Sequence, residues 1–142
     1  DNINIFQIVQ KIYSLKNFLS TSEGKLILES YKRAYNILSI EEEKDNISYI
    51  GNPDSEIFTD NEEKTLFSKI NEISPVLESK LAVKDYGEAI LSLTDMCIPV
   101  KNFFDKIVVN SENKEIRKNR LFLLSQIRYL VEKIADFSLI EI

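Results

Sequence analysis

Apolar residues recur three and four apart along most of the chain, the spacing of amphipathic helices. Ile5, Ile8, Val9, Ile12, Leu15 and Leu19 predict a first helix over residues 3 to 19. Ser20-Thr21-Ser22-Glu23-Gly24 interrupts it and offers caps for the next helix. Ile27, Tyr31, Ala34 and Leu38 define that second helix, with an end near Ile40, and the two read as an antiparallel hairpin. From Glu41 to about Thr59 the periodicity lapses, and Gly51-Asn52-Pro53-Asp54 is a turn signal. Residues 41–59 are therefore expected to form an acidic exposed loop, of a length uncommon unless functional or mobile. Leu66, Ile70 and Ile73 restore the helical pattern, with Asp60 or Asn61 as the cap. Ser74-Pro75 suits an N-cap followed by proline at the first helical position, so Val76, Leu77 and Leu81 are assigned to a separate short helix. Asp85-Tyr86-Gly87-Glu88 has the form of a capping box, and Tyr86, Ile90, Leu93 and Cys97 give the buried stripe that follows. Pro99 kinks or restarts the helix, because it lacks a backbone donor. Val100, Phe103, Phe104, Ile107 and Val108 continue the apolar face, with both phenylalanines expected in the core. A final helix is expected from near Asn113 to about Asp136.

The pattern predicts an all-α bundle of five or six helices without a sheet, one domain over residues 1–142. The low content of glycine and proline, 3 of each, agrees with long helices. At 142 residues and 44% hydrophobic, the chain is long enough and apolar enough to bury a core. No apolar run approaches the ~20 residues of a membrane span. The start, Asp1-Asn2-Ile3-Asn4, has neither an initiator Met nor the features of a signal peptide, and reads as a piece cut from a longer chain. A lone Cys97 excludes an internal disulfide and fits a reducing cytosol. With no His, triad and histidine-base chemistry is excluded within the chain, and a transition-metal site is not expected.

Charge changes the picture by its distribution. The net charge is −5, yet nine acids and a single Lys lie between Glu41 and Glu63, and the rest of the chain is net positive. Glu41-Glu42-Glu43 is expected to be solvated loop, since it has no calcium-loop spacing. The final helix is locally basic, and a phosphate-binding surface needs local rather than total positive potential.

On a wheel of about 100° per residue, Leu123, Ile127, Leu130, Ile134 and Phe137 form a seam that Ile116 continues upstream. Arg120 falls about 20° from Ile127, near the centre of that face. A guanidinium there is costly unless paired or open to a groove. Two readings stand: a structural pair with Asp85, Asp105 or a helix C-terminus, or an arginine at a groove mouth reaching a base or phosphate. Arg117 and Arg128 share one flank, with Lys118 and Asn119 on others. Lys114, Arg117 and Lys118 at the helix start suit a phosphate, or else form a solvated basic face paired with Glu115 and Glu132. On the second helix Lys32 and Asn36 lie four apart and Arg33 lies three from Asn36, a spacing that lets an amide read a base edge and a guanidinium stack on one. Tyr31 and Tyr35 either stack on bases or sit in the core with the hydroxyl at its rim.

Three strings, taken in order, resemble the C-terminal end of the β subunit of bacterial glycyl-tRNA synthetase. They are Lys32-Arg33-x-x-Asn36-Ile37-Leu38, the stretch from Asp85-Tyr86 to Ile98-Pro99-Val100-Lys101-Asn102-Phe103-Phe104-Asp105, and Asn119-Arg120-Leu121-Phe122-Leu123-Leu124 through Ala135-Asp136-Phe137. That region is an all-helical anticodon-binding domain of the type shared with arginyl-tRNA synthetases. The resemblance implies a module that binds the anticodon stem-loop of glycine tRNA through Lys32, Arg33, Asn36, Arg117, Lys118, Asn119, Arg120 and Arg128. It implies a cytoplasmic α2β2 heterotetramer whose α subunit uses ATP and glycine, while this chain catalyses nothing and holds no cofactor. The acidic segment at 41–63 is longer or more charged than the family pattern. Ile, Asn and Lys replace the Ala, Met and Leu common there, as in an AT-rich genome. The other classes considered are a helical protein–protein interaction domain without a nucleic-acid ligand and, last, a carboxylate-based hydrolase or lyase.

Overall fold

The computed structural model describes residues 5–134, which form six α-helices and one 3₁₀ turn, with no strand among them. Helix α1 (Ile5–Leu19) ends where the Thr21 hydroxyl caps α2 (Ser22–Asp45), accepting from the Gly24 amide at 3.0 Å. Gly24 is dictated by packing: a Cβ there would lie 1.9 Å from the Phe18 carbonyl oxygen, so only glycine lets the end of α1 cross the start of α2.

Helix α2 runs past the expected end at Ile40 to Asp45, where Asn46 closes it in the left-handed region at φ 55°. Glu41, Glu42 and Glu43 are therefore helical, which corrects the solvated-loop expectation, and the irregular connection covers residues 46–60 rather than 41–59. The physical reason is that the inward residue of this turn, Glu41, is buried against an arginine and not against aliphatic side chains. Apolar periodicity has no means of registering such a face.

Helix α3 (Asn61–Ala82) is continuous through Pro75, against the expectation of a new helix there. Leu66, Ile70, Ile73 and Leu77 bury one unbroken stripe across the proline, while Pro75 itself faces solvent. The burial on both sides outweighs the one backbone hydrogen bond that proline removes.

Helix α4 (Tyr86–Leu91) is capped by Asp85, which accepts from the Glu88 amide at 3.2 Å. It passes through the 3₁₀ turn Ser92–Met96 into α5 (Cys97–Lys106), with Pro99 in the first turn, where its missing N–H is tolerated. Helix α6 (Lys114–Glu132) begins at Asn113, whose side-chain oxygen accepts from the Glu115 and Ile116 amides.

Helix α3 packs against α4, the 3₁₀ turn, α5 and α6, and so runs through the middle of the bundle. Helices α2 and α6 lie antiparallel, since Asp45 meets Arg117 at one end and Tyr31 meets Glu132 at the other. Tyr31 is fully buried with its hydroxyl donating to Glu132, the core-with-polar-rim reading. The seam of α6 is buried at Leu123, Ile127, Leu130 and Ile134. Its last member, Phe137, and the end expected near Asp136 lie outside the described residues. Helix α1 packs on α2 and α4 but leaves Ile5, Phe6, Val9, Ile12 and Tyr13 exposed. No helix among the described residues is long and apolar enough to cross a membrane.

Candidate nucleic-acid interface

The three arginines of α6 reach into the acidic segment. Arg120 is 7% exposed and faces Glu63, whose side chain is fully buried. Its Nε donates to Glu63 Oε2 at 3.2 Å, and one terminal nitrogen approaches Glu63 Oε1 at 3.4 Å and Asp60 Oδ2 at 3.7 Å. The other terminal nitrogen donates to the Val108 carbonyl at 2.7 Å. Glu63 also accepts from the amides of Thr59 and Asp60, which fixes the start of α3. A buried carboxylate with two backbone donors and a guanidinium has the additional hydrogen bonds a desolvated pair requires. Asp85 and Asp105, the partners expected for Arg120, are not the ones used; Glu63 and Asp60 are.

Arg117 binds Asp45 at 2.6 Å and Glu41 at 3.0 Å through one terminal nitrogen, and its Nε donates to Asn110 Oδ1 at 2.8 Å. The Tyr49 hydroxyl and then Arg117 hold the Asp45 carboxyl below its ordinary value, and Asp45 in turn raises the Arg117 guanidinium. Burial, followed by the hydrogen bond to Asp45, raises the Tyr49 phenol. Arg128 forks onto both oxygens of Glu42 at 3.3 and 3.4 Å. Asn119 is buried and clamps the 46–60 connection, accepting from the Asp54 amide at 2.6 Å and donating to the Asp54 carbonyl at 3.0 Å. These four residues, expected at an RNA contact, are engaged inside the protein. The α6 arginines pair with part of the acidic segment and offset only part of its charge, since Arg117 and Arg120 are each shared between two carboxylates.

The rest of the expected set lies nearer the surface. Arg33 is exposed, and its guanidinium sits over the Phe104 ring at 4.6 Å from the centroid. Asn36 is exposed, and Lys32 is half-buried and engaged with a neighbour. Lys118 is exposed on α6, with its ammonium 5.9 Å from the centre of the Phe122 ring. The structure therefore brings Lys32, Arg33 and Asn36 to one stretch of α2, but it does not assemble the α6 arginines into an open basic surface beside them.

An open groove of about 520 Å³ lies between α2 and the connector after α5. Ile37, Ile40, Phe104, Ile107 and Val108 make its apolar walls, and Arg33, Lys106 and Asn110 its polar edge. The wall formed by the connector is held from behind by α6: Arg120 binds the Val108 carbonyl and Arg117 binds the Asn110 side chain. Of the residues at this groove the sequence pattern pointed only to Arg33, and not to Phe104, Ile40, Lys106 or the connector. A signal was present. Phe103 and Phe104 are adjacent on a helix, about 100° apart, so one of them falls nearer the edge of the buried face. Phe103 is buried, and Phe104 is half-buried at the groove. Among the described residues no three His, Cys, Asp or Glu side chains converge to hold a metal.

Residues 27–141 match the DALR anticodon binding domain family. The chain is 35% identical over 94% of its length to the "Glycine--tRNA ligase beta subunit" of Ruegeria sp. (strain TM1040). It is 37% identical over 96% to the protein of that name from Rickettsia felis, and 34% identical over 99% to the one from Dinoroseobacter shibae. The chain spans about a fifth of the length of these relatives. Helix α1 precedes the matched region, and α2 to α6 fall almost wholly within it. An all-helical domain whose second helix offers Arg33 and Asn36 to solvent, matched over most of its length, belongs to the DALR anticodon-binding domain family.

Proposed function

We propose that this chain is the anticodon-recognition module of a glycine–tRNA ligase β subunit and binds the anticodon stem-loop of glycine tRNA. The observation that carries the reading is the family match over residues 27–141, joined to relatives of that name along nearly the whole chain. The residues proposed to meet RNA directly are Lys32, Arg33, Asn36 and Lys118, on α2 and the start of α6. Arg117, Asn119, Arg120 and Arg128 serve that contact by holding the segments that shape it. Glycine activation with ATP belongs to an α subunit in an α2β2 assembly in the cytoplasm, and this chain contributes no catalytic group or cofactor. The exposed apolar residues of α1 favour a second reading, a helical protein-interaction module without nucleic-acid ligand.

Titration with glycine tRNA and with the same tRNA carrying a swapped anticodon separates the two. The anticodon reading expects saturable, salt-sensitive binding that weakens on swapping the anticodon. Equal affinity for both RNAs, or none for either, would refute it.

A further inference from the structure

Arg33 sits at the open groove with its guanidinium over the Phe104 ring and no carboxylate at ion-pair distance among the described residues. An exposed cation held over an aromatic ring has already lost part of its freedom, so a second planar group that covers it has less left to order. The walls beyond it are apolar, and their lips are open to water: Ile40 is 64% exposed and Val108 69%. Two carboxylates face the groove, and both are ion-paired. Glu41 is bound to Arg117 at 3.0 Å and Asp105 to Lys101 at 2.9 Å. Arg33 and Lys106 carry no such pair, and because Arg117 is shared between Glu41 and Asp45 they leave a small positive excess, which makes the groove apolar within and weakly positive at its edge. A planar, weakly polar ring attached to an anionic group complements it, and an unpaired nucleotide has that chemistry.

We infer that this groove between α2 and residues 107–110 seats one unpaired base of an RNA loop. The base stacks on the outer face of Arg33 and against the apolar wall, with its phosphate toward Lys106. The inference rests on the anticodon-binding reading and assigns it a place. It also gives the buried arginines a positioning part. Arg120 and Arg117 touch no RNA; they fix the backbone of Val108 and the side chain of Asn110, and so the width of the groove.

The test uses the 142-residue chain and a glycine tRNA anticodon stem-loop carrying 2-aminopurine at one unpaired loop position at a time. Ile40→Glu and Arg33→Gln alter the groove at exposed positions. Val83→Glu, at an equally exposed residue at the end of α3, controls for added negative charge. Melting curves verify that all three variants fold. The expected result is a fluorescence change at one loop position with the unaltered chain. Ile40→Glu and Arg33→Gln should abolish it and weaken binding roughly tenfold or more, as loss of a base stack does, while Val83→Glu leaves both unchanged. Groove variants that bind and quench like the unaltered chain would overturn the groove and leave the anticodon reading standing. Failure of the unaltered chain to bind either the stem-loop or whole glycine tRNA would overturn both.

Discussion

Arg120→Ala should destabilise the fold by about 3–4 kcal/mol, and the structure shows where that number comes from. Removing one partner of a buried ion pair costs about 3–5 kcal/mol, because the other charge stays desolvated. Glu63 is fully buried but keeps the amides of Thr59 and Asp60, which places the loss toward the lower end. The Val108 carbonyl also loses its donor, but Val108 is exposed and water can replace it, adding under about 1 kcal/mol. For a domain of this size each kcal/mol lowers the melting temperature by about 3–5 °C, so the shift should be roughly 10–20 °C. The assay is urea and thermal unfolding followed by far-ultraviolet circular dichroism. The single replacements Arg120→Met and Glu63→Met, with the two combined, complete a cycle. The combined replacement should recover much of the loss, since an apolar pair replaces the ionic one, although the start of α3 forfeits its carboxylate contacts, at about 1 kcal/mol. Single variants that lose less than about 1 kcal/mol, or a coupling energy below about 0.5 kcal/mol, would refute the reasoning.

Gly24→Ala should lose at least about 2 kcal/mol despite the better helix propensity of alanine, because the new methyl would meet the Phe18 carbonyl; a raised urea midpoint would contradict this. Cys97 is buried, and burial, with Glu23 and Asp95 nearby, pushes its thiol up to about 11, so iodoacetamide at pH about 8 should label the native chain far more slowly than the urea-unfolded chain; equal rates would count against it. The Asp45 carboxyl is depressed in the folded state, so its share of stability is present above the ordinary value of 3.8 and is lost as pH falls through the lower folded value. The gap in melting temperature between the unaltered chain and Asp45→Asn should therefore close as pH drops from about 5 toward 2, and a constant gap would refute the assignment. Glycine-dependent ATP–pyrophosphate exchange should be absent with this chain alone, and its appearance would refute a purely binding role.

Much of the fold was legible because it depends on local rules. The stripes at three and four residues located the helices, and Asp60, Asp85 and Asn113 marked their starts. The failures share one cause, that apolar pattern and local signals are blind to what distant residues supply. The last turn of α2 is held by Arg117, 76 and 72 residues away from Glu41 and Asp45 in sequence. Pro75 reads locally as a helix start, yet the burial of Leu66, Ile70, Ile73 and Leu77 runs straight through it. The spacing of four from Ile73 to Leu77 held that information, and the proline signal obscured it. At the candidate interface the anomaly of Arg120 was visible from the helical wheel, but its partner was not, because Glu63 lies 57 residues away.

The same distant pairing changes what the net charge of −5 means. An acidic total argues against a polyanionic ligand only if the charges act at a distance. In the segment from Glu41 to Glu63, five of the nine acids are tied to arginines of α6: Glu41 and Asp45 to Arg117, Glu42 to Arg128, and Asp60 and Glu63 to Arg120. A paired charge presents a dipole whose field decays faster than that of a lone ion, and physiological salt screens what remains beyond about 8 Å. The potential met by an approaching phosphate is therefore set by the unpaired groups beside it. At the groove these are Arg33 and Lys106, since Asp105 is paired with Lys101 and Glu41 shares Arg117 with Asp45, which leaves a small positive excess there. The basic helix that attracted attention in the sequence thus spends its arginines on cohesion, and the positive surface moves to α2 and the end of α5. Charge counted along the chain does not show which way each side chain points, and the arginines of α6 point at carboxylates supplied by α2 and the start of α3.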